Sequence, residues 1–260
     1  MKTALITGAS SGIGKSIAQL MASKGINLVV TARRLEALEE LKKELEVAHK
    51  VNVNCISLDL AKPDSAQSLF DEVQQLGIDI DYLVNNAGFG GRGLFYERKW
   101  NDEAAMMQLN MVSLTQLTHL FLPQMVKRGS GKILNVASSA GLIPGGPLQS
   151  VYFATKAYVL SFSQGLAGEL EGKGVTITAL CPGATATEFE KVAKLEKTKL
   201  FAGKNFSSEM VANDGYNAMM KGDLKCVTAL TASQKLTMKT IPFVPTKMIL
   251  KQIKDLQENA

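Results

Sequence analysis

The feature that most constrains this chain is a steady alternation of short apolar, β-prone runs with longer helical patterns, from residue 3 to beyond residue 170. The runs predict strands at 3–7, 27–31, 52–58, 82–85, 132–137 and 176–180. Helical periodicity fills 14–23, 35–48, 63–75, 101–127 and 151–171. Runs such as Ala4-Leu5-Ile6 and Ile133-Leu134-Asn135-Val136 lack polar alternation, as strands do when helices cover both faces of a parallel sheet. Strand and helix in strict alternation imply right-handed βαβ units, hence an α/β fold with a doubly wound parallel sheet. Ligands of such sheets bind at the carboxyl ends of the strands. Every motif below falls at one of those ends.

A chain of 260 residues with 46% hydrophobic and 20% charged residues is expected to build one domain over 1–260 around one core. No apolar run approaches the roughly 18 residues that span a bilayer, and the first strand leaves no room for a leader, so a cytoplasmic protein is expected. Cys55, Cys181 and Cys226 lie too far apart for a disulfide framework or metal set and read as buried thiols. His49 and His119 belong to no motif, and no metal is expected. The net charge is +5, but most lysines alternate with acids, as in 36–50. With no basic stripe interleaved with aromatics, nucleic acid is not expected as a partner.

Thr7-Gly8-Ala9-Ser10-Ser11-Gly12-Ile13-Gly14 joins the first strand to the first helix. Glycines let the backbone turn tightly and let a pyrophosphate approach the helix N-terminus, where free N–H groups and the dipole favour negative charge. The Gly-x-x-x-Gly-x-Gly spacing resembles the short-chain dehydrogenase/reductase family and implies a Rossmann-type nucleotide domain. The end of the second strand bears on the cofactor. An acid there would hold a ribose, but the sequence reads Thr31-Ala32-Arg33-Arg34, and a guanidinium suits a 2′-phosphate. NADP(H) is therefore expected, with Arg33 as main contact and Arg34 as a weaker one. The resemblance also implies that Asp59-Leu60 meets the adenine and that Asn86, Ala87 and Gly88 wall its side and steady the sheet.

Tyr152 and Lys156 lie four residues apart, so a helix projects them from one face. A free phenol is a poor acid at neutral pH; a nearby ammonium and an oxidised nicotinamide would lower its pKa toward the working range. The Tyr-x-x-x-Lys pair, ahead of Cys181-Pro182-Gly183, extends the resemblance to residues 3–188. It implies that Tyr152 gives a proton to a carbonyl oxygen while Lys156 holds the nicotinamide ribose. A serine should polarise the same oxygen. Counting back from the tyrosine picks Ser139; anchoring on the strand Asn135-Val136-Ala137 picks Ser138. Ser138 is favoured, because strand register fixes side-chain direction whereas the Pro144-Gly145-Gly146-Pro147 loop absorbs an insertion. The resemblance further implies that the backbone of Asn110 holds a relay water and that Pro182, Gly183 and Thr187 touch the nicotinamide carboxamide.

These features together predict an NADPH-dependent carbonyl reductase acting on a small-molecule ketone or aldehyde, as a homodimer or homotetramer. Phe89, Leu94, Phe95, Phe189 and Phe206 are candidate linings of an apolar pocket. The irregular stretch 184–222, with Phe201 and Tyr216, is expected to be a substrate lid. The segment 224–260 departs from the family, with no closing strand and Asp-Gly-Gly-like turn. From 224 to 254 it carries six lysines and no acid, and Lys247, Lys251 and Lys254 share a helix face opposite Ile249, Ile253 and Leu256. A helix packed on the domain or on a partner subunit is the first expectation for it, and a weak contact with an anionic membrane or an acidic partner the second. Two alternatives to the enzyme are an NADPH-binding regulator without turnover and a peripheral membrane protein.

Overall fold

The structure, a computed structural model, describes residues 1–200 and 206–258. Among these residues seven strands form one sheet in the order β3-β2-β1-β4-β5-β6-β7, every pairing parallel. The strands are β1 (Thr3–Thr7), β2 (Asn27–Ala32), β3 (Val53–Ser57), β4 (Tyr82–Asn85), β5 (Gly131–Val136), β6 (Val175–Pro182) and β7 (Lys225–Thr228). Six match the apolar runs to within two residues. The helices between them are α1 (Gly12–Ser23), α2 (Leu35–His49), α3 (Ser65–Gln75), α4 (Trp100–Met107), α5 (Leu114–Arg128) and α6 (Ser150–Glu169).

Side chains alternate across each strand, and in the central strands both sets are buried. From β1, Ala4 and Ile6 pack with Ile17 and Met21 of α1 and Leu41 of α2, whereas Leu5 packs with Leu69 of α3 and Phe121 of α5. Two apolar layers sandwich the sheet, so the fold is a Rossmann-type doubly wound α/β sheet. Chain order reverses between β1 and β4, which opens a crevice at their carboxyl ends.

Three expectations are corrected. The single helix over 101–127 is broken between α4 and α5 by a π-helical turn, Gln108–Ser113, that holds Asn110. The 184–222 segment, expected to be an irregular lid, is not irregular throughout. It contains the short α7 (Phe189–Val192), but its second half is α8 (Ser208–Lys221), whose Val211, Ala212 and Met219 are buried against α1 and β6. Phe201 lies outside the described residues, and Phe206 and Tyr216 pack on the core. Last, the family's closing strand is present as β7, paired with β6; it is short and lies at the sheet edge with Lys225 exposed, which weakens its apolar signal. Ala229, at φ 55°, takes a left-handed conformation that glycine adopts more easily.

Beyond β7 the chain forms α9 (Ala232–Thr240) and α10 (Thr246–Gln257), which turn back over the carboxyl edge of the sheet. Thr231 starts α9 with a reciprocal cap: its hydroxyl accepts from Gln234 N–H while Gln234 Oε1 accepts from Thr231 N–H. The end of α10 is tied to the segment after α7, since Leu200 N–H donates to Leu256 O at 3.0 Å.

Candidate active site

All the expected cofactor and catalytic positions except Gly14 and Asn110 line one cleft of about 950 Å³ at the carboxyl ends of the strands. Its floor begins at the glycine turn. Gly8 and Gly12 take φ of 68° and 54°, left-handed values that glycine adopts at no steric cost. Gly14 stands behind them; a Cβ there would lie 2.3 Å from Gly8 O, so no larger residue fits. No side chain caps the first N–H groups of α1, which leaves them directed at the cleft for an anion.

Asn86 braces this turn. Its Nδ2 donates to Thr7 O at 2.9 Å and Gly8 O at 3.2 Å. The Thr7 hydroxyl accepts from the N–H groups of Asn86 and Ala87 at 3.0 and 2.9 Å. Thr7 thus welds β1 to the end of β4, a role that the sequence reading missed because a strand-end threonine carries no motif. Asp59 and Leu60, at the end of β3, line the same wall.

The two arginines behave differently. Arg34 is held in a bidentate pair with Glu188, at 2.8 and 3.2 Å, and also reaches Ser10. Arg34 holds the Glu188 carboxyl below its usual range. Arg33 is exposed and makes no ion pair among the described residues. A free guanidinium therefore stands beside one already engaged. Glu188, one residue past Thr187, had no motif to reveal it.

Farther along the cleft, Tyr152 and Lys156 rise from one face of α6 and are 8% and 5% exposed. Lys156 Nζ sits 5.9 Å from the centre of the Tyr152 ring and donates to Val136 O at 2.8 Å. Burial pushes the Tyr152 phenol up to about 12, while the adjacent Ser138 hydroxyl acts in the opposite direction. Burial also brings the Lys156 ammonium down to about 8. With the protein's own groups alone, desolvation outweighs the Ser138 hydrogen bond and the phenol keeps its proton at neutral pH; the expected lowering also called on an oxidised nicotinamide.

Ser138 follows β5, accepts from Ala140 N–H at 3.1 Å and donates to Pro182 O at 3.5 Å. Ser139 also touches the cleft, at the start of the turn Ser139–Leu142. Asn110 is buried behind Gly88, where its Nδ2 donates to Phe89 O and Thr155 Oγ1 and its Oδ1 accepts from Phe89 N–H. Its side chain is spent on fixing the loop after β4 to α6. The π turn that carries it is a device often found at functional sites.

The outer half of the cleft is apolar. Phe89, Ile143, Phe153 and Phe189 form one side, and the Tyr152 and Phe189 rings lie 5.3 Å apart. Leu94 and Phe95 are exposed instead, and Phe206 packs on the core, so three of the five expected lining residues are not there. The sequence reading did not assign the opposite side, which comes from the tail: Met238 of α9, Ile241, Val244, and Ile249 and Ile253 of α10. The amphipathic pattern had given the packing of α10, but not what it packs over. Gln257 of α10 donates from Nε2 to Gln149 Oε1 at 2.7 Å, and its carbonyl accepts from Arg92 Nε at 2.7 Å. Gln149 Nε2 and Gln257 Oε1 are buried with no partner among the described residues. No cluster of metal-ligating side chains occurs among the described residues.

Residues 2–198 match the sequence model of the short chain dehydrogenase family. A very-long-chain 3-oxoacyl-CoA reductase of Danio rerio is 38% identical over 197 residues, which are 74% of this chain and 62% of that relative's length. A short-chain dehydrogenase of Sphingobium yanoikuyae in complex with NADPH superposes with a TM-score of 0.83 at 30% identity, covering 91% of each chain. A short chain dehydrogenase/reductase of Burkholderia phymatum in complex with NAD superposes at 0.81 and 26% identity, covering 93% of this chain and 94% of the other. Sequence and architecture agree that the chain belongs to the short-chain dehydrogenase family, oxidoreductases that bind a nicotinamide nucleotide.

Proposed function

We propose that this protein is an NADPH-dependent reductase of bulky, apolar ketones or aldehydes. The observation that carries the reading is the continuity of one cleft. It runs from a free arginine and an anion-ready helix end, past a protonated buried phenol, to an apolar chamber. The donors present fit a dinucleotide: the turn has no room for side chains, and the N-terminus of α1 faces the diphosphate position. Arg33 supplies a charge for a 2′-phosphate, and no carboxylate stands at Ala32 to select a bare ribose. Family membership alone leaves the choice open, since one solved relative holds NADPH and another NAD.

When bound, NADPH supplies a hydride, two electrons and a proton, to the carbonyl carbon. Tyr152 supplies the second proton to the carbonyl oxygen, completing the alcohol. Ser138 donates a hydrogen bond to that oxygen as its charge develops. Lys156, fixed by Val136 O, keeps a positive charge beside the phenol and stabilises the phenolate it becomes. Asn110 positions Phe89 and α6 and leaves its backbone in the π turn to hold a relay water. The outer half of the cleft, walled by Phe89, Ile143, Phe153, Phe189, Met238, Ile249 and Ile253, suits a ketone on a long or bulky apolar frame. The named substrate of the Danio rerio relative, a long-chain 3-oxoacyl thioester, is one such frame.

The test is NADPH oxidation against a panel of acyl, aromatic and sugar carbonyls. Bulky apolar ketones should turn over, with NADPH preferred to NADH. Tyr152→Phe should lower kcat by at least about a hundredfold with NADPH affinity unchanged, because it removes the proton and keeps the ring. Ser138→Ala should cost a comparable factor and Ser139→Ala little. Tight NADPH binding with no turnover on any carbonyl would replace the enzyme with a nucleotide-binding regulator.

A further inference from the structure

The tail builds two different surfaces from the same residues. The inner faces of α9 and α10 line the cleft with Thr237, Met238, Ile241, Ile249 and Ile253. The outer faces carry Lys235, Lys239, Lys247, Lys251 and Lys254, all exposed. Between residues 224 and 254 there is no acid, although a stretch of this length would carry about three at the chain's average density. Large apolar side chains stand among these lysines in open solvent: Phe243 is 88% exposed, Leu236 65% and Met248 55%. None of the three lines the cleft. Leu236 lies between Lys235 and Lys239 on α9, and Phe243 sits at the corner where α9 turns into α10.

A solvated helix face accounts for lysines but not for exposed Phe, Leu and Met beside them, which cost free energy in water. Three occupants are conceivable. A two-fold contact with a second copy would set this lysine-rich face against itself, with the exposed Asp255 the one acid on the two helices to pair five lysines. Nucleic acid would answer the charge and leave the apolar side chains in water. An anionic lipid surface answers both, since phosphates pair with the ammonium groups while the apolar side chains enter the headgroup boundary.

We propose that the outer face of α9 and α10 docks on an anionic lipid surface, so that the mouth of the cleft opens onto the bilayer and apolar substrates enter from it. No described helix is long and apolar enough to cross a membrane, so the contact is peripheral. The entry of substrate rests on the reductase reading above; the docking does not.

The test uses the full chain and vesicles of phosphatidylcholine with or without phosphatidylserine. Wild type should pellet with the anionic vesicles, little with the neutral ones, and lose the difference as salt rises. The triple variant Lys247→Gln/Lys251→Gln/Lys254→Gln should bind at least about tenfold more weakly, and Leu236→Ser/Phe243→Ser severalfold more weakly. Both should keep the wild-type melting temperature and the wild-type rate on a water-soluble ketone, because the substituted side chains are exposed and lie outside the cleft. On a long-chain ketone carried in anionic vesicles, wild type should outpace both variants. Equal pelleting on the two vesicle types, or a triple variant that pellets like wild type, overturns the docking. So does a dimer that dissociates in these variants without vesicle binding, or retention on duplex DNA but not on vesicles. If the soluble ketone is not reduced while anionic vesicles still bind, the reductase reading falls and the docking stands.

Discussion

Lys156 is where burial and charge compete most directly. The unfolded chain keeps its proton up to about pH 10.5, whereas the folded protein releases it near 8. Below pH 8 the fold therefore carries the cost of a desolvated ammonium, and between 8 and 10.5 that cost fades as pH rises, because the unfolded state binds more protons. Chemical denaturation of the cofactor-free protein should show Lys156→Met gaining on wild type at pH 7, with the gap closing by pH 10. A gap independent of pH would mean that the lysine is not desolvated. At the other end of the cleft, the Arg34–Glu188 pair is more than half exposed on both sides and solvent-screened, so it is worth little to stability. Its effect lies in which arginine is available. Calorimetry should find NADPH binding weakened by about 1–3 kcal/mol in Arg33→Ala, with NADH unaffected. Glu188→Gln should tighten NADPH by up to about fivefold, as Arg34 becomes free to join. Equal losses of NADPH and NADH in Arg33→Ala would remove the basis for preferring the phosphorylated cofactor.

Among the elements, α8 shows how a composition signal misleads. Residues 184–222 hold many charges and scattered aromatics, which reads as an irregular lid, yet Val211, Ala212 and Met219 fall on one helical face that completes the layer over α1 and β6. The periodicity was diluted by small residues such as Gly215, whose absent side chain lets Leu180 approach. A core helix and a lid fail differently. Met219→Ala should cost about 2–5 kcal/mol in denaturant unfolding and leave KM unchanged, whereas a lid residue would shift KM with little loss of stability. The central strands were legible because β1, β4 and most of β2, β5 and β6 are buried on both faces and rich in apolar residues, and the edge strand β3 still carries Val53 and Ile56. The seventh was not, since Lys225-Cys226-Val227-Thr228 at the sheet edge buries little. Motifs held by backbone need, such as Gly8, Gly12 and Gly14, could be placed from spacing alone. Partners held by side-chain geometry, such as Thr7 with Asn86 or Glu188 with Arg34, lie 79 and 154 residues apart and leave no local trace.

At the scale of the whole molecule, the sheet presents one crevice where chain order reverses, and the last helices return across it. That return path is hidden in the sequence because the helical pattern gives the apolar face of α10 without its destination. The Gln149–Gln257 contact at the rim also bears on how fast the molecule lets go of what it holds. It satisfies one donor and one acceptor, while Gln149 Nε2 and Gln257 Oε1 are buried with no partner among the described residues. A buried polar atom without a partner costs on the order of 1–3 kcal/mol, so the contact holds α10 over the cleft less firmly than an apolar one of the same size would. If α10 must shift for a product of the proposed reaction to leave, the two amides make this contact a weak latch and shorten the time that product stays bound. Replacing both amides by Leu, of similar size and with nothing left to hydrate, should lengthen that residence. Single-turnover chemistry should then keep its rate while steady-state kcat and KM fall together; a slowed chemical step would assign the two glutamines to catalysis instead.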